Sequence, residues 1–332
     1  MKPPRIAVTG GTGFIGSAVL RELARRGEDG GGVRPVVRAV GRRPPGGADT
    51  PVEEWVPADL ADPGTLRGAC DGVDVLLHLA VSLGPDEAQC EAVNVRGTAA
   101  LAEEAKRAGV GRIVHLSTAA VYGPGPHRGI AVDGVEPRPV SAVSRSRLAG
   151  ERYALAAGAI VLRPGLVVGP GDRWVVPTLA RLLEAVPALW DGGRALLSLV
   201  HVEDLARLIV RLGLDARPAA AAVYHAAHPE PVRCADLLTG LARHGVLPPV
   251  TGELAWAECV EALKESGSAV SRRQLSLVAL DHWYDSAAVW RAAGCDPGPG
   301  PLARLEGDAA WYRSFTAAPA DARAVPAAPA EA

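Results

Sequence analysis

The chain of 332 residues has two phenylalanines, one methionine and, among 35 basic residues, only three lysines, at positions 2, 106 and 264. No apolar run approaches the roughly 20 residues that a membrane helix needs. Met1-Lys2-Pro3-Pro4 leads straight into an apolar strand pattern, so no signal peptide is expected. The five cysteines (70, 90, 234, 259 and 295) are odd in number and form no C-x-x-C pair. That argues against a disulfide framework or a metal site, and for reduced thiols in a cytoplasmic protein. A formal charge of −2 gives no sign of a nucleic-acid or anionic-membrane partner. Lysine scarcity beside abundant Ala, Gly, Pro and Arg suggests a GC-rich coding background.

What is present is an alternation of short apolar strands with helical stretches over the first 165 residues, the pattern of a parallel sheet covered on both faces. Strands are expected at Arg5–Thr9, Pro35–Val40, Glu53–Pro57, Val73–Leu79, Arg112–Ser117 and Ala159–Arg163, with helices near Phe14–Arg26, Pro63–Ala69, Pro85–Ala108 and Val143–Ala157. The fold class is therefore α/β, a doubly wound parallel sheet in residues 1–165 followed by a smaller mixed lobe over 166–316. Sheet elements are allowed to recur near 195–230. Helices in the second part are expected near Val175–Ala185, Val202–Leu212, Cys234–Arg243 and Ala255–Glu265. Residues 317–332 are nearly all Ala, Pro and charged residues and read as a disordered tail.

Thr9-Gly10-Gly11-Thr12-Gly13-Phe14-Ile15-Gly16 links the first strand to the first helix. Such a turn needs glycine for the sharp bend, for backbone approach to a pyrophosphate, and for helix–strand packing. The helix N-terminus adds free N–H groups and a positive dipole end. Gly10, Thr12, Gly13, Phe14, Ile15 and Gly16 are thus candidate dinucleotide-binding residues. The second strand ends in Val40-Gly41-Arg42-Arg43, with no acid before Asp49. A carboxylate there would suit the ribose of NAD, whereas arginine suits a 2′-phosphate. NADP(H) is expected, with Arg42 and then Arg43 as phosphate partners.

The G-x-x-G-x-x-G spacing resembles that of the extended short-chain dehydrogenases/reductases, and further segments share the resemblance over roughly residues 5–300. Ala58-Asp59-Leu60 is similar to the family's adenine-contacting Asp-Leu. His78-Leu79-Ala80, with Val81 next, is similar to its H-x-A segment beside the cofactor. Asn94 stands in an N-V-x-G-T helix. Leu162-Arg163-Pro164-Gly165-Leu166-Val167-Val168-Gly169-Pro170 is similar to the segment near the nicotinamide, which brings in Pro164, Gly165 and Val167. His201-Val202-Glu203-Asp204-Leu205-Ala206 is similar to H-V-D-D-L-A. The resemblance also implies a possible homodimer through the helices that hold Asn94 and Arg147.

One departure from the family dominates. The family carries Tyr-x-x-x-Lys where this chain reads Val143-x-x-x-Arg147, inside the otherwise matching Ser146-Arg147-Leu148-Ala149-Gly150-Glu151. The resemblance assigns Thr118 to polarising a substrate carbonyl and Arg147 to the nicotinamide ribose. Valine has no proton to give, and a positioned general acid is worth about 10²–10⁴ in rate. Tyr122, Tyr153, Ser144, Ser146 and His127 are poor replacements, and His127 reads as a solvated loop residue. Val143, Trp174 and Trp190 are the candidate substrate-binding residues. Trp256 and Trp283 are further candidates for lining an aromatic pocket.

Three readings stay open. In the first, NADPH reduces a ketone of an aromatic polyketide in antibiotic biosynthesis, and the substrate supplies its own proton. On this reading the chain is similar to the angucyclinone ketoreductases of aminocoumarin pathways. The second is a nucleotide-sugar 4-ketoreductase or epimerase, with Arg173, Arg181 and Arg194 available for a diphosphate. The third is a catalytically silent NADP-binding regulator.

Overall fold

Ile6, Ala7 and Val8 in the first strand have no solvent exposure, which requires cover on both faces of the sheet they enter. The computed structural model describes residues 2–28, 34–46, 52–214 and 222–317. Its main sheet contains β1 (Arg5–Thr9), β2 (Val36–Gly41), β3 (Glu54–Pro57), β4 (Val75–His78), β5 (Arg112–Leu116), β6 (Ile160–Arg163) and β7 (Ala222–His225). All pairings are parallel, in the order β7-β6-β5-β4-β1-β2-β3. The winding direction reverses between β1 and β4, so a crevice opens beyond the carboxyl ends of those strands.

Strand alternation divides the core in two. Ile6 and Val8 pack with Leu20 and Leu23 of α1 (Phe14–Glu28) and with Leu205, Leu208 and Ile209 from the segment Val202–Leu214. Ala7 packs the opposite way, with Leu76, Ile113, Val161 and Leu101 of α2 (Thr98–Arg107). Next come α3 (Ala142–Ala156), α4 (Val175–Ala185) and α5, the segment Val202–Leu214. Beyond them lie α6 (Cys234–Arg243), α7 (Trp256–Glu265), α8 (Arg272–Ala279), α9 (Ala287–Ala293) and α10 (Leu305–Ala317). A third core joins α4, α6, α7, α8 and α10 through Leu179, Leu182, Leu237, Leu263, Leu275 and Tyr312. A smaller mixed sheet of Val232–Arg233, Leu196–Leu197, His282–Tyr284 and His127–Ile130 stands beside it.

Several expectations are corrected. Pro63–Ala69 is a single 3-10 turn, Pro63–Leu66, because Gly64 and the positive φ of Gly68 (81°) stop it from propagating. Pro85–Ala108 is not one uniform helix. Asp86 caps a short turn Glu87–Cys90, the backbone widens into a π-helix over Glu91–Gly97, and α2 follows. The widened stretch seats between two backbones that approach closely. A Cβ on Gly97 would stand 2.5 Å from the Leu60 carbonyl oxygen, and one on Gly150 would stand 2.2 Å from that of Asn94. His127 is no solvated loop residue: it is buried in a strand against Tyr122, Tyr284 and His282. Asp49 and residues 318–332 lie outside the described residues.

At its first turn α1 meets the loop after β1 backbone to backbone. A Cβ on Gly16 would lie 2.0 Å from the Gly10 carbonyl oxygen. Helix propensity favours Gly16→Ala by about 1 kcal/mol, whereas overpacking costs about 1–3 kcal/mol. The substitution is expected to lower the urea midpoint, and a raised midpoint would show that the contact yields.

Burial also sets an acid limit. Desolvation, with Arg147 adding to it, lowers the pKa of His78 to about 4, and desolvation lowers that of His225 to about 4. Burial lowers those of His115 and His282 too. Each folded-state value lies below the unfolded one, so the unfolded chain binds more protons as pH falls through 6.5. For His78 and His225, integration from pH 6.5 to 5 gives a loss on the order of 1–2 kcal/mol each. Thermal melts at decreasing pH should show the midpoint falling below pH 6.5. A flat profile would contradict burial of neutral imidazoles.

Candidate active site

The carboxyl end of β1 turns at Gly10, whose φ of 74° is a left-handed conformation. A Cβ there would sit 2.7 Å from the Ala80 backbone nitrogen, so the two loops meet backbone to backbone. Thr9 ties them: its hydroxyl oxygen accepts the N–H groups of Leu79 (3.1 Å) and Ala80 (3.2 Å) and pairs with Nδ1 of His78 at 2.8 Å. Nε2 of His78 reaches the Thr98 hydroxyl at 3.0 Å. His78 is therefore a buried strut behind the cleft.

Above this switch point lies a cleft of about 1070 Å³, at or beyond the upper end of ordinary ligand pockets (about 300–1,000 Å³) and so with room for two molecules. Its wall includes Gly10, Thr12, Gly13, Phe14, Ile15, Gly16, Arg42, Arg43, Asp59 and Leu60 at one end. Leu79, Ala80, Val81, Thr118, Val143, Arg147, Pro164, Gly165, Val167 and Trp174 continue it. The cofactor and reaction-centre candidates from the sequence are thus in one cleft, whereas several of the candidates for holding a substrate are not. Trp190 has no solvent exposure and donates its indole N–H to the Val186 carbonyl at 3.0 Å. It anchors the third core, not a ligand. Trp256 and Trp283 are not in the wall either, nor are Arg173, Arg181 and Arg194.

The phosphate-turn end can hold a dinucleotide. The N-terminus of α1 opens onto it, and side chains at Gly10 or Gly16 would collide with backbone. Arg42 and Arg43 are exposed, with no hydrogen bond or ion pair among the described residues. The Asp59 carboxylate accepts the N–H of Ala61 at 2.9 Å, which fixes the loop after β3.

At the other end Thr118 caps a 3-10 turn, its hydroxyl oxygen accepting the N–H of Ala120 at 3.2 Å. That leaves the hydroxyl proton for a ligand. Arg147 donates from Nη2 to the carbonyls of Leu116 (2.8 Å) and Ser117 (2.5 Å). Burial pushes its pKa down to about 10, so it stays cationic at neutral pH. Val143, one turn earlier on α3, adds only an apolar surface.

Each alternative proton donor is engaged elsewhere. The Tyr122 hydroxyl lies behind the wall, bonded with Arg163 Nη1 (2.8 Å), His225 Nε2 (2.7 Å) and the Val132 carbonyl (3.0 Å). Burial raises its pKa. Ser144 belongs to the capping box of α3, and Ser146 bonds Asn94 and the Val143 carbonyl. Tyr153 is exposed and outside the wall. Among the described residues the cleft wall contains no Tyr, His, Cys, Lys or Glu.

Sequence reasoning missed three groups here. Asp172 is in the wall, but both its oxygens are occupied by the N–H groups of Trp174, Val175 and Val176 and by the Tyr312 hydroxyl. Burial raises its pKa and those bonds oppose the rise, so it serves as the cap of α4. Ser117 donates to Glu151, which Arg163 grips with Nε (3.0 Å) and Nη2 (2.6 Å). Leu277, Val278 and Gln274 of α8 join Trp174, Val175 and Leu179 in the cleft wall. The S-x-x-Q box at Ser271 signals where α8 begins, but nothing local tells which face meets the cleft. No group of three metal-ligating side chains occurs among the described residues, nor any helix long and apolar enough to cross a membrane.

Comparisons with known proteins agree with this geometry. A putative dihydroflavonol 4-reductase of Synechocystis sp. is 32% identical over 214 residues, 60% of each chain. The 4-hydroxy-2-methyl-3-oxo-4-farnesyl-3,4-dihydroquinoline-1-oxide ketoreductase of Stigmatella aurantiaca is 30% identical over 221 residues, 60% of this chain and 62% of that one. A 3-diazoavenalumate denitrifying reductase of Streptomyces sp is 28% identical over 316 residues, 86% of this chain and 98% of that one. Against relatives near 30% identity, the match spans 50–62% of their length. Among solved structures, WbmG of Bordetella bronchiseptica, in complex with NAD and UDP, superposes with a TM-score of 0.72 at 20% identity, covering 95% of this chain and 96% of that one. At that identity the likeness is one of fold. With residues 6–225 matching its model, the chain belongs to the NAD dependent epimerase/dehydratase family.

Proposed function

We propose that the protein is an NADPH-dependent ketoreductase acting on a ketone of an aromatic, angucyclinone-like polyketide in antibiotic biosynthesis. The substrate's own hydroxyl supplies the proton that Val143 cannot. The observation that carries this reading is the cleft wall without Tyr, His, Cys, Lys or Glu among the described residues. With the Asp172 carboxylate engaged by four donors and Asp59 holding its own loop, an acid that arrives with the ligand is the reading the wall favours.

Arg42, and after it Arg43, binds the 2′-phosphate of NADPH, since no carboxylate ends β2 to select the plain ribose. The turn Gly10–Gly16 takes the pyrophosphate, and Asp59 and Leu60 flank the adenine. Leu79, Ala80, Val81, Pro164, Gly165 and Val167 line the path to the nicotinamide, which when bound supplies the hydride. Thr118 donates its free hydroxyl proton as a hydrogen bond to the ketone oxygen and polarises it. Arg147 holds the ribose and keeps a fixed positive charge beside the developing alkoxide. Val143 forms a dry wall, and Trp174 with Leu179, Leu277 and Val278 offers flat apolar surface to a fused-ring ligand. A hydroxyl peri to the ketone then passes its proton to the alkoxide within one molecule and recovers a proton from water. Proximity of this kind is worth several kcal/mol. The names of relatives support the class: one reduces a fused-ring ketone that bears a hydroxyl on the adjacent carbon.

NADPH oxidation by the purified protein, followed with a peri-hydroxylated aromatic ketone and with its methyl ether, tests the proton source. The hydroxylated ketone should turn over and the ether should be slower by about 10² or more. Equal rates would return the proton to ordered water or to Thr118. No turnover of either, with NADPH tightly bound, would favour a nucleotide-sugar substrate or a silent regulator. Thr118→Ala should lower kcat by about 10²–10³ while leaving NADPH affinity unchanged. An unchanged kcat would remove Thr118 from the chemistry.

A further inference from the structure

β3 is the edge strand of the main sheet, and Trp55 on it is 42% exposed, although a large indole normally gains by burial. Its one hydrogen bond explains the position. The indole N–H donates to the Gly41 carbonyl at 3.1 Å. That oxygen already accepts the ladder bond from the Ala58 N–H at 3.2 Å, so both of its lone pairs are taken.

Gly41 is an unusual place for such a clamp. It does not need to be glycine for space, because a Cβ there would meet nothing within 4 Å. As glycine it is the loosest joint in the segment, free to swing the next peptide. The next residues are Arg42 and Arg43, two exposed guanidinium groups in the cleft wall. Neighbouring carboxylates are committed elsewhere: Glu54 to Arg5 and Arg38, Glu53 to Arg34 and the Val37 N–H. Downstream, Pro44 and Pro45 lock their own φ, and Pro44 disfavours a helical conformation at Arg43. Pro45 also lies 3.4 Å from where a Cβ of Gly11 would be, in reach of the phosphate turn. The arginine pair is therefore suspended between two rigid prolines and one glycine, whose carbonyl Trp55 grips beside the last ladder bond.

We infer that Trp55 is a positioning residue that sets the preference of the cleft for a 2′-phosphorylated dinucleotide, acting through Arg42. The inference rests on the NADP(H) reading above. Trp55 touches no ligand itself, being outside the cleft wall.

Calorimetric titration of NADPH and NADH into the parent, Trp55→Phe, Arg42→Ala and the double variant tests it. Phenylalanine keeps an aromatic ring on the edge strand and removes the N–H donor with the rest of the pyrrole ring. The NADPH-to-NADH affinity ratio should fall about five-fold in Trp55→Phe, the worth of one net hydrogen bond. NADH affinity should stay at the parent value, which also shows that the cleft is intact. In the Arg42→Ala background, Trp55→Phe should change nothing further, because the two act as one unit. Equal weakening of both dinucleotides, additive losses in the double variant, or an unchanged ratio would each overturn the inference while leaving the NADP(H) reading in place. A parent protein with no preference for NADPH would instead overturn that reading, and the inference with it.

Discussion

Glu151 and Arg163 face each other as a fork, with side chains 2% and 7% exposed, and the reactive wall of the cleft is built around that pair. Glu151 is on α3, the helix of Val143 and Arg147; Arg163 ends β6; Ser117, bonded to the same carboxylate, follows β5. The third guanidinium nitrogen, Nη1, donates to the Tyr122 hydroxyl. Removing one partner from a buried pair costs about 3–5 kcal/mol, since the other charge is stranded. The pair itself contributes less to stability than to register. It sets how far α3 stands from the sheet, and thus where residues 143 and 147 meet a ligand.

From that register follows the division of labour in the cleft. Arg147 spends two of its hydrogen bonds on the carbonyls of Leu116 and Ser117, which fixes its charge in place. A guanidinium so held cannot tune a phenol as an ammonium does, but residue 143 is a valine and carries none to tune. Thr118 and Arg147, with Ser117 and Ser141, are the polar residues that α3 with its cap and the loop after β5 bring to that end of the cleft. The far wall, from α4 and α8, is largely apolar, with Thr178, Ser271, Arg273 and Gln274 interspersed.

How much of this was legible in the chain depended on how local each signal is. The glycine turn, the absent carboxylate at Arg42 and the valine at 143 are contiguous or countable features, and all three lie in the cleft. The sheet was legible because strands buried on both faces, such as Val75–His78, read as unbroken apolar runs. The tryptophans misled because an indole looks the same in a core as in a pocket. Trp190 is decided by a carbonyl four residues away and by helices more than 40 residues further along. His127 misled because proline and glycine around it suggested a loop, while its strand partner, His282, is 155 positions away. The apolar face of α8 had no signal at all, because which side of an amphipathic helix meets a cleft is settled by packing across the whole lobe.

The composition of the cleft wall has one more consequence. Soft nucleophiles are what electrophiles attack: thiolates, amines, imidazoles and phenolates. None lines this cleft among the described residues, and four of the five cysteines are buried elsewhere. A quinone or other alkylating ligand would meet amides, alcohols, carboxylates engaged in capping, and guanidinium groups. The same described inventory that leaves the wall without Tyr, His, Cys, Lys or Glu also leaves it poor in the soft nucleophiles that such a molecule would modify.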